Sequence, residues 1–172
     1  MPEETRQIVV VRHAKAEHPD AVDDRDRPLA ERGRKDAKAA GRWLTGAGVD
    51  ADLALVSPAV RTRDTWELMV PELRNKPRTV QDKRLYDASL GALITVLNEQ
   101  SDEDRDVVVV GHNPGVRELA EALAGEAKGD VMARMKDSGF PTAAAAILAF
   151  EGSWAAVEHN TCRLTAFWAP HA

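Results

Sequence analysis

Three short segments of this 172-residue chain hold residues that could do chemistry, and each follows a strand-like run. Arg12-His13 follows Ile8-Val9-Val10-Val11. Ser57-Pro58, with Arg61 close behind, follows Leu53-Ala54-Leu55-Val56. Gly111-His112 follows Val107-Val108-Val109-Val110. Imidazole titrates near neutrality and can be nucleophile, proton carrier or metal ligand. Guanidinium is a planar fork that donates two hydrogen bonds at once to a phosphoryl group or carboxylate. The second and third segments also open helices, whose free N–H groups attract anions. Two arginines, two histidines and two helix N-termini brought together describe an anion site. Singly, each has a plainer counterpart: a polar pair ending a strand, a surface arginine, a capping or core histidine. Their common position is what argues for one pocket. Zinc is the other use for histidine, but a catalytic zinc takes three protein ligands. His18, His159 and His171 have no metal-like spacing, and the arginines would repel a cation. No metal and no cofactor are expected.

These residues need elements to carry them. Ile8–Val11, Leu53–Val56 and Val107–Val110 read as strands buried on both faces, with a weaker strand near Thr79–Asp82 and two more at Ala144–Phe150 and Cys162–Trp168. Between them run helical patterns. Ala37, Ala40, Gly41 and Leu44 share one face of a helix between Leu29 and Gly48. Ser57 and Pro58 read as N-cap and first residue of a helix to about Val70, and Asn113 and Pro114 as the same pair for a helix to about Leu123. Ser89 to Glu99 is a further helix. Ala16–Arg27 reads as an aspartate-rich loop, Ser101–Asp106 as a solvated charge run, and the stretch after Leu123, rich in Gly, Lys and Met, as a loop. Strands alternating with helices predict an α/β three-layer sandwich with a mostly parallel central sheet. In such sheets ligands bind beyond the carboxyl ends of the strands, so all three segments meet at one rim.

Composition narrows the class. Lys plus Arg is 23 and Asp plus Glu is 28, a net charge of −5 that disfavours nucleic acid and anionic membranes as partners. The four tryptophans are read as core or core-edge residues rather than a stacking platform, and the single cysteine, Cys162, as an inert buried thiol. One cysteine allows no disulfide framework or cysteine-built metal site. No apolar run reaches the ~20 residues that span a bilayer. The charged start, Met1 to Gln7, has no apolar stretch behind it, so a cytoplasmic single domain over residues 1–172 is expected. No heptad or interface stripe indicates an oligomeric state.

Val11-Arg12-His13-Ala14 resembles the Arg-His-Gly signature of the histidine phosphatase superfamily, the phosphoglycerate mutase-like fold. Ser57-Pro58-Ala59-Val60-Arg61-Thr62-Arg63-Asp64-Thr65 is similar to its second element and Gly111-His112-Asn113-Pro114 to its third. Within the superfamily, Arg27-Pro28-Leu29, Leu85-Tyr86-Asp87, Ser138-Gly139 and the short length resemble SixA-type phosphohistidine phosphatases. Two departures stand out. Ala14 takes the usual Gly position, and the chain is too short for the insertion that carries a Glu proton donor in larger members.

The resemblance implies a phosphatase in which His13 forms a covalent phosphohistidine. Arg12, Arg61 and His112 would hold the phosphoryl oxygens, and the Asn113 backbone N–H would add a donor. Asp87, the nearest carboxylate to the missing Glu, would be the general acid. The substrate would be a phosphorylated protein or a small phosphoester. Lys15, Arg25, Arg27 and Ser138 are further residues of possible contact whose plainer reading is loop, ion pair or turn. Rival readings are phosphoglycerate mutase-type phosphoryl transfer, against which the absence of a lid argues, and a non-catalytic phosphate-binding module.

Overall fold

The computed structural model describes residues 4–171; Met1, Pro2 and Glu3 of the charged N-terminal stretch, and Ala172, lie outside the described residues. Seven strands, β1 (Thr5–Arg12), β2 (Leu53–Val56), β3 (Arg78–Gln81), β4 (Asp106–Gly111), β5 (Ala124–Ala127), β6 (Ala145–Glu151) and β7 (Cys162–Trp168), form one sheet in the order β3-β2-β4-β1-β6-β7-β5. The helices are α1 (Glu31–Gly46), α2 (Val60–Met69), α3 (Leu90–Asn98), α4 (Gly115–Leu123) and α5 (Val131–Ser138). β1, β2, β3 and β4 pair in parallel, as do β5 and β7, whereas β6 runs antiparallel to both its neighbours. The sheet is mostly parallel, as the alternation of strands and helices predicts.

Strand side chains alternate between faces, so each valine-rich run feeds two cores. Val9 and Val11 pack with Ala37, Ala40 and Leu44 of α1 and Trp66 and Met69 of α2. Ile8 and Val10 pack on the other face with Leu93 and Leu97 of α3, Leu119 and Leu123 of α4 and Met135 of α5. Helices on both faces make a three-layer α/β sandwich. Among the described residues no helix is long and apolar enough to cross a membrane.

Several local expectations need correction. α2 begins at Val60 with Ala59 as N-cap, and α4 begins at Gly115 with Pro114 as N-cap. Neither Ser57 nor Asn113 caps a helix, because their side chains bond elsewhere: Ser57 Oγ to His112, and Asn113 Nδ2 to the Phe140 carbonyl. The stretch after Leu123 contains β5 and α5 rather than a loop alone. Ala124-Gly125-Glu126-Ala127 has no apolar alternation to announce a strand, and its order comes from pairing with β7 at the sheet edge. The 101–106 charge run is a junction as well as a solvated loop. Asp102 accepts from Ser153 Oγ and the Trp154 backbone N–H, and Asp104 is buried against Arg78.

α1 also grips the segment that follows β1. The Lys15 carbonyl accepts from the Ala30 N–H at 2.8 Å, and a Cβ on Gly33 would lie 2.1 Å from that same oxygen. Gly33→Ala is therefore expected to lower stability by about 1–3 kcal/mol, the range for overpacking a tight contact. Gly46→Ala, where a Cβ meets nothing within 4 Å, is the matched control. Urea denaturation of the pair checks this; equal midpoints would contradict it.

Candidate active site

Register places the candidate residues. β1 aligns Arg12 with Gly111, which sets His13 beside His112, about a hundred residues away in sequence. β2 aligns Val56 with Val110, which sets Ser57 beside the end of β4. The backbone continues the ladder past the strand ends: the His13 N–H donates to the Gly111 carbonyl at 3.0 Å and the Ser57 N–H to the Val110 carbonyl at 3.1 Å. The two imidazole centroids are 5.4 Å apart. Arg12, His13, Arg61 and His112 are thus brought to one rim.

His13 is 8% exposed, and its Nδ1 lies 2.8 Å from the Ala14 carbonyl oxygen. A carbonyl only accepts, so Nδ1 carries the proton and Nε2 keeps the lone pair. Nε2 makes no hydrogen bond with the described residues and is not sealed from the surface. Burial pushes the His13 pKa down to about 3, with the His112, Arg61 and Arg12 charges acting in the same direction. The ring is held neutral with a free nitrogen. Behind it, the Ala14 N–H donates to Thr65 Oγ1, which donates to the Arg61 carbonyl, so α2 braces the turn after β1.

The arginines are held by carbonyls and one carboxylate. Arg12 Nη1 donates to the Phe140 carbonyl at 3.2 Å. Phe140 (φ 56°) and Ala143 (φ 66°) are both in the left-handed region. The turn they make also lets the Ala143 N–H bond the Arg12 and His13 carbonyls. Arg61 is 4% exposed and donates from Nη1 to the Asp24 carbonyl at 2.6 Å and from Nη2 to Asp24 Oδ2 at 3.0 Å. Tyr86 Oη also donates to Asp24 Oδ2, and Arg27 Nη1 to Oδ1. The Tyr86 bond first, then Arg61 and Arg27, holds the Asp24 carboxyl well below the usual carboxylate range.

His112 is buried, with Nε2 2.7 Å from Ser57 Oγ and the Tyr86 ring edge-on at 5.4 Å. Burial, followed by the Arg61 charge, pushes its pKa down to about 4. Three nitrogens of this cluster, Arg12 Nε, Arg61 Nε and His112 Nδ1, have no hydrogen-bond partner among the described residues although they are sealed from water. Buried polar atoms of this kind are rare in native folds and call for an explanation. An anion held between the arginines and the imidazoles would supply one.

Other sequence-derived candidates fall differently. Asn113 turns its amide to the Phe140 carbonyl, as above. Asp87 follows Tyr86, is exposed and has φ 51°; it makes no hydrogen bond or ion pair with the described residues. Lys15 is exposed, and Arg25 stacks its guanidinium 5.6 Å over the Tyr86 ring. Arg27 ties its own loop through the Glu17 carbonyl, Asp24 and His18. Ser138 Oγ closes the end of α5 on Met135 and Phe140. Asp24 is a site neighbour that sequence reasoning did not single out, and Ser57, Thr65 and Tyr86 stand in the motifs it quoted without a role in the site. Nothing local distinguishes Asp24 from Asp20, Asp23 and Asp26 in the same loop.

Comparison with known proteins gives the family and the fold. The profile of the histidine phosphatase superfamily (branch 1) matches residues 8–161. An uncharacterized protein of Mycobacterium tuberculosis is 37% identical over 161 residues, 93% of this chain and 99% of the relative. Two solved structures of candidate SixA phosphohistidine phosphatases are similar throughout. That from Nakamurella multipartitia has TM-score 0.83 at 26% identity and covers 100% of both chains. That from Agrobacterium tumefaciens has TM-score 0.79 at 27% identity, over 96% of this chain and 99% of the other.

The two depressed imidazoles have a consequence for stability. An unfolded histidine binds its proton near pH ~6.5, whereas the folded His13 and His112 wait until about 3 and 4. Below pH ~6.5 the unfolded state therefore binds more protons, and stability falls as pH falls. Urea midpoints are expected to be flat above pH ~7 and to drop between pH ~6.5 and ~4.5, less steeply in His13→Asn. An identical slope in that variant would contradict the neutral, buried His13.

Proposed function

The chain belongs to the histidine phosphatase superfamily, and on that premise we propose that this phosphatase works through a covalent phosphohistidine on His13. The observation that carries the reading is the state of His13: a neutral ring, anchored at Nδ1, with the Nε2 lone pair free beside two guanidinium groups. In the first half-reaction Nε2 attacks phosphorus in line. The N–P bond forms as the bond to the leaving group breaks, and the leaving group takes a proton. Water then attacks the phosphohistidine, the N–P bond breaks, and inorganic phosphate and neutral His13 are released. Arg12, Arg61 and His112 meet the charge on the phosphoryl oxygens in both steps, where preorganised donors are worth most.

Asn113 stands at the turn before α4, where its backbone N–H is a further candidate donor. Because Arg12 and Arg61 supply positive charge and His112 a further hydrogen bond, the reaction is read as metal-independent. Asp24 is held deprotonated by Tyr86, Arg61 and Arg27 and is a poor acid. Asp87 therefore stays the general acid of this proposal.

The substrate class is a phosphohistidine on a protein or a small phosphoester. The similar structures are described as candidate phosphohistidine phosphatases, which favours the former. An open cleft of about 450 Å³, lined by Asp23, Arg25, Asp26, Pro58, Arg63 and Gln81, flanks the Asp24 loop and suits a group presented from a larger molecule. A cytoplasmic setting fits Cys162, which is unpaired and buried, its thiol pushed up to about 11 by burial.

Single-turnover labelling with a generic phosphoester should leave phosphate on the protein that is lost in acid and kept in base. His13→Ala should lose that label and about 10³-fold or more in turnover, and a chelator should leave the wild-type rate unchanged. Label retained in His13→Ala would end the covalent reading. A chain that binds phosphate but turns over no phosphoester would be a binding module instead. Asp87→Asn should slow substrates with poor leaving groups and spare good ones; equal rates on both would remove Asp87 from the mechanism.

A further inference from the structure

Ser57 is fully sealed from solvent at the end of β2, and its hydroxyl touches a residue of the site without facing the site itself. We propose that Ser57 is a positioning residue that fixes the tautomer of His112, so that Nδ1 carries the proton and presents it to the phosphoryl group. The value of that proton for hydrolysis rests on the function proposed above; the tautomer does not.

The argument is one of proton counting. A neutral imidazole has one N–H and one lone pair, and a serine hydroxyl has one proton to place. Ser57 Oγ and His112 Nε2 are 2.7 Å apart, so a single proton lies between them. If Nε2 were the donor, the Ser57 hydroxyl proton would need another acceptor. Among the described residues Ser57 Oγ has no other hydrogen-bond partner, and a buried hydroxyl left unmade is costly. With Ser57 as donor, the hydroxyl and Nε2 are both satisfied, and the ring proton moves to Nδ1, which has no partner in the protein and is left for a ligand. In this family of two-nitrogen choices, the bond at one nitrogen decides what the other can do.

The second observation comes from the far side of the ring. His112 Nδ1 is sealed and unpartnered in the protein, as are Arg12 Nε and Arg61 Nε. An unprotonated Nδ1 would turn a lone pair toward an incoming anion and repel it. A protonated Nδ1 completes a set of three donors. The Ser57 backbone holds the device in place: its N–H bonds the Val110 carbonyl, and its carbonyl accepts from Thr62 Oγ1 at 2.8 Å. Tyr86, packed edge-on, limits the ring from another side.

Nitrogen-15 NMR of the histidine rings at neutral pH tests this directly on the whole chain, using wild type and Ser57→Ala. The wild type should show His112 with Nδ1 protonated and Nε2 bare. Titration with inorganic phosphate should shift the Nδ1–H signal. In Ser57→Ala the His112 signals should move toward the Nε2–H form. Turnover should fall about tenfold to a hundredfold, the scale seen when a bond orienting a functional histidine is removed, and the loss should appear in kcat as well as KM. Ser57→Cys, which keeps a weak donor, should recover part of both.

A wild-type His112 protonated at Nε2 overturns the assignment whatever the activity, and that readout stands even if Ser57→Ala does not fold. A folded Ser57→Ala with an unchanged tautomer and turnover within about twofold, well short of the usual orienting effect, overturns it too. Nδ1-protonated His112 in a wild type that turns over no phosphoester would sink the phosphatase mechanism and leave the Ser57 assignment standing.

Discussion

The site depends above all on the register of three parallel strands. β4 lies between β1 and β2, with Arg12 opposite Gly111 and Val56 opposite Val110. Side chains alternate with a period of two, so a one-residue slip would move His13 or His112 to the other face of the sheet. The valines prevent that slip. Val9, Val11, Val108 and Val110 fill one core while Ile8, Val10, Val107 and Val109 fill the other, and all are at most 2% exposed. A slip would have to exchange two packed faces at once. The apolar runs thereby act as a ruler whose ends carry the chemistry.

Burial at the ends of these strands then sets the electrostatics. Desolvation disfavours the charged form of an imidazole, and two guanidinium groups nearby add repulsion. Both histidines are consequently neutral, each with one nitrogen engaged and the other without a partner among the described residues: Nδ1 of His13 is engaged on the Ala14 carbonyl, and Nε2 of His112 on Ser57. The arginines cannot lose their protons, so their charge needs balance elsewhere. Asp24 supplies it for Arg61, through one side-chain and one main-chain oxygen, and is itself steadied by Tyr86 and Arg27. The Ala16–Arg27 segment, which has few apolar residues, is ordered largely by these polar bonds, beside a single bridge between Ala16 and Leu29.

Much of this was legible beforehand. β2 spans the predicted residues, β7 likewise, and α4 ends where expected, because runs such as Leu53–Val56 have one plausible structure when helices cover both faces. Where reading failed, the missing information was tertiary. Ser57-Pro58 and Asn113-Pro114 have the local signature of helix starts, yet both polar side chains are engaged across the fold, and the helices start later. β5 lacks any periodic signal of its own and exists because β7 offers an edge.

The sequence alone determined the strand runs, the order of the three segments and the residue types at their ends, since these follow from local pattern and side-chain chemistry. That was enough to expect an α/β sandwich with an anion site at one rim. Tertiary structure decided which lone pair His13 leaves free, that Asp24 rather than another aspartate of its loop meets Arg61, and that Ser57 faces His112. Those outcomes are hydrogen bonds between groups from 1 to 55 positions apart, made or refused by distances of a few tenths of an ångström. No local pattern encodes such distances; the packing of the sheet against its two helical layers sets them.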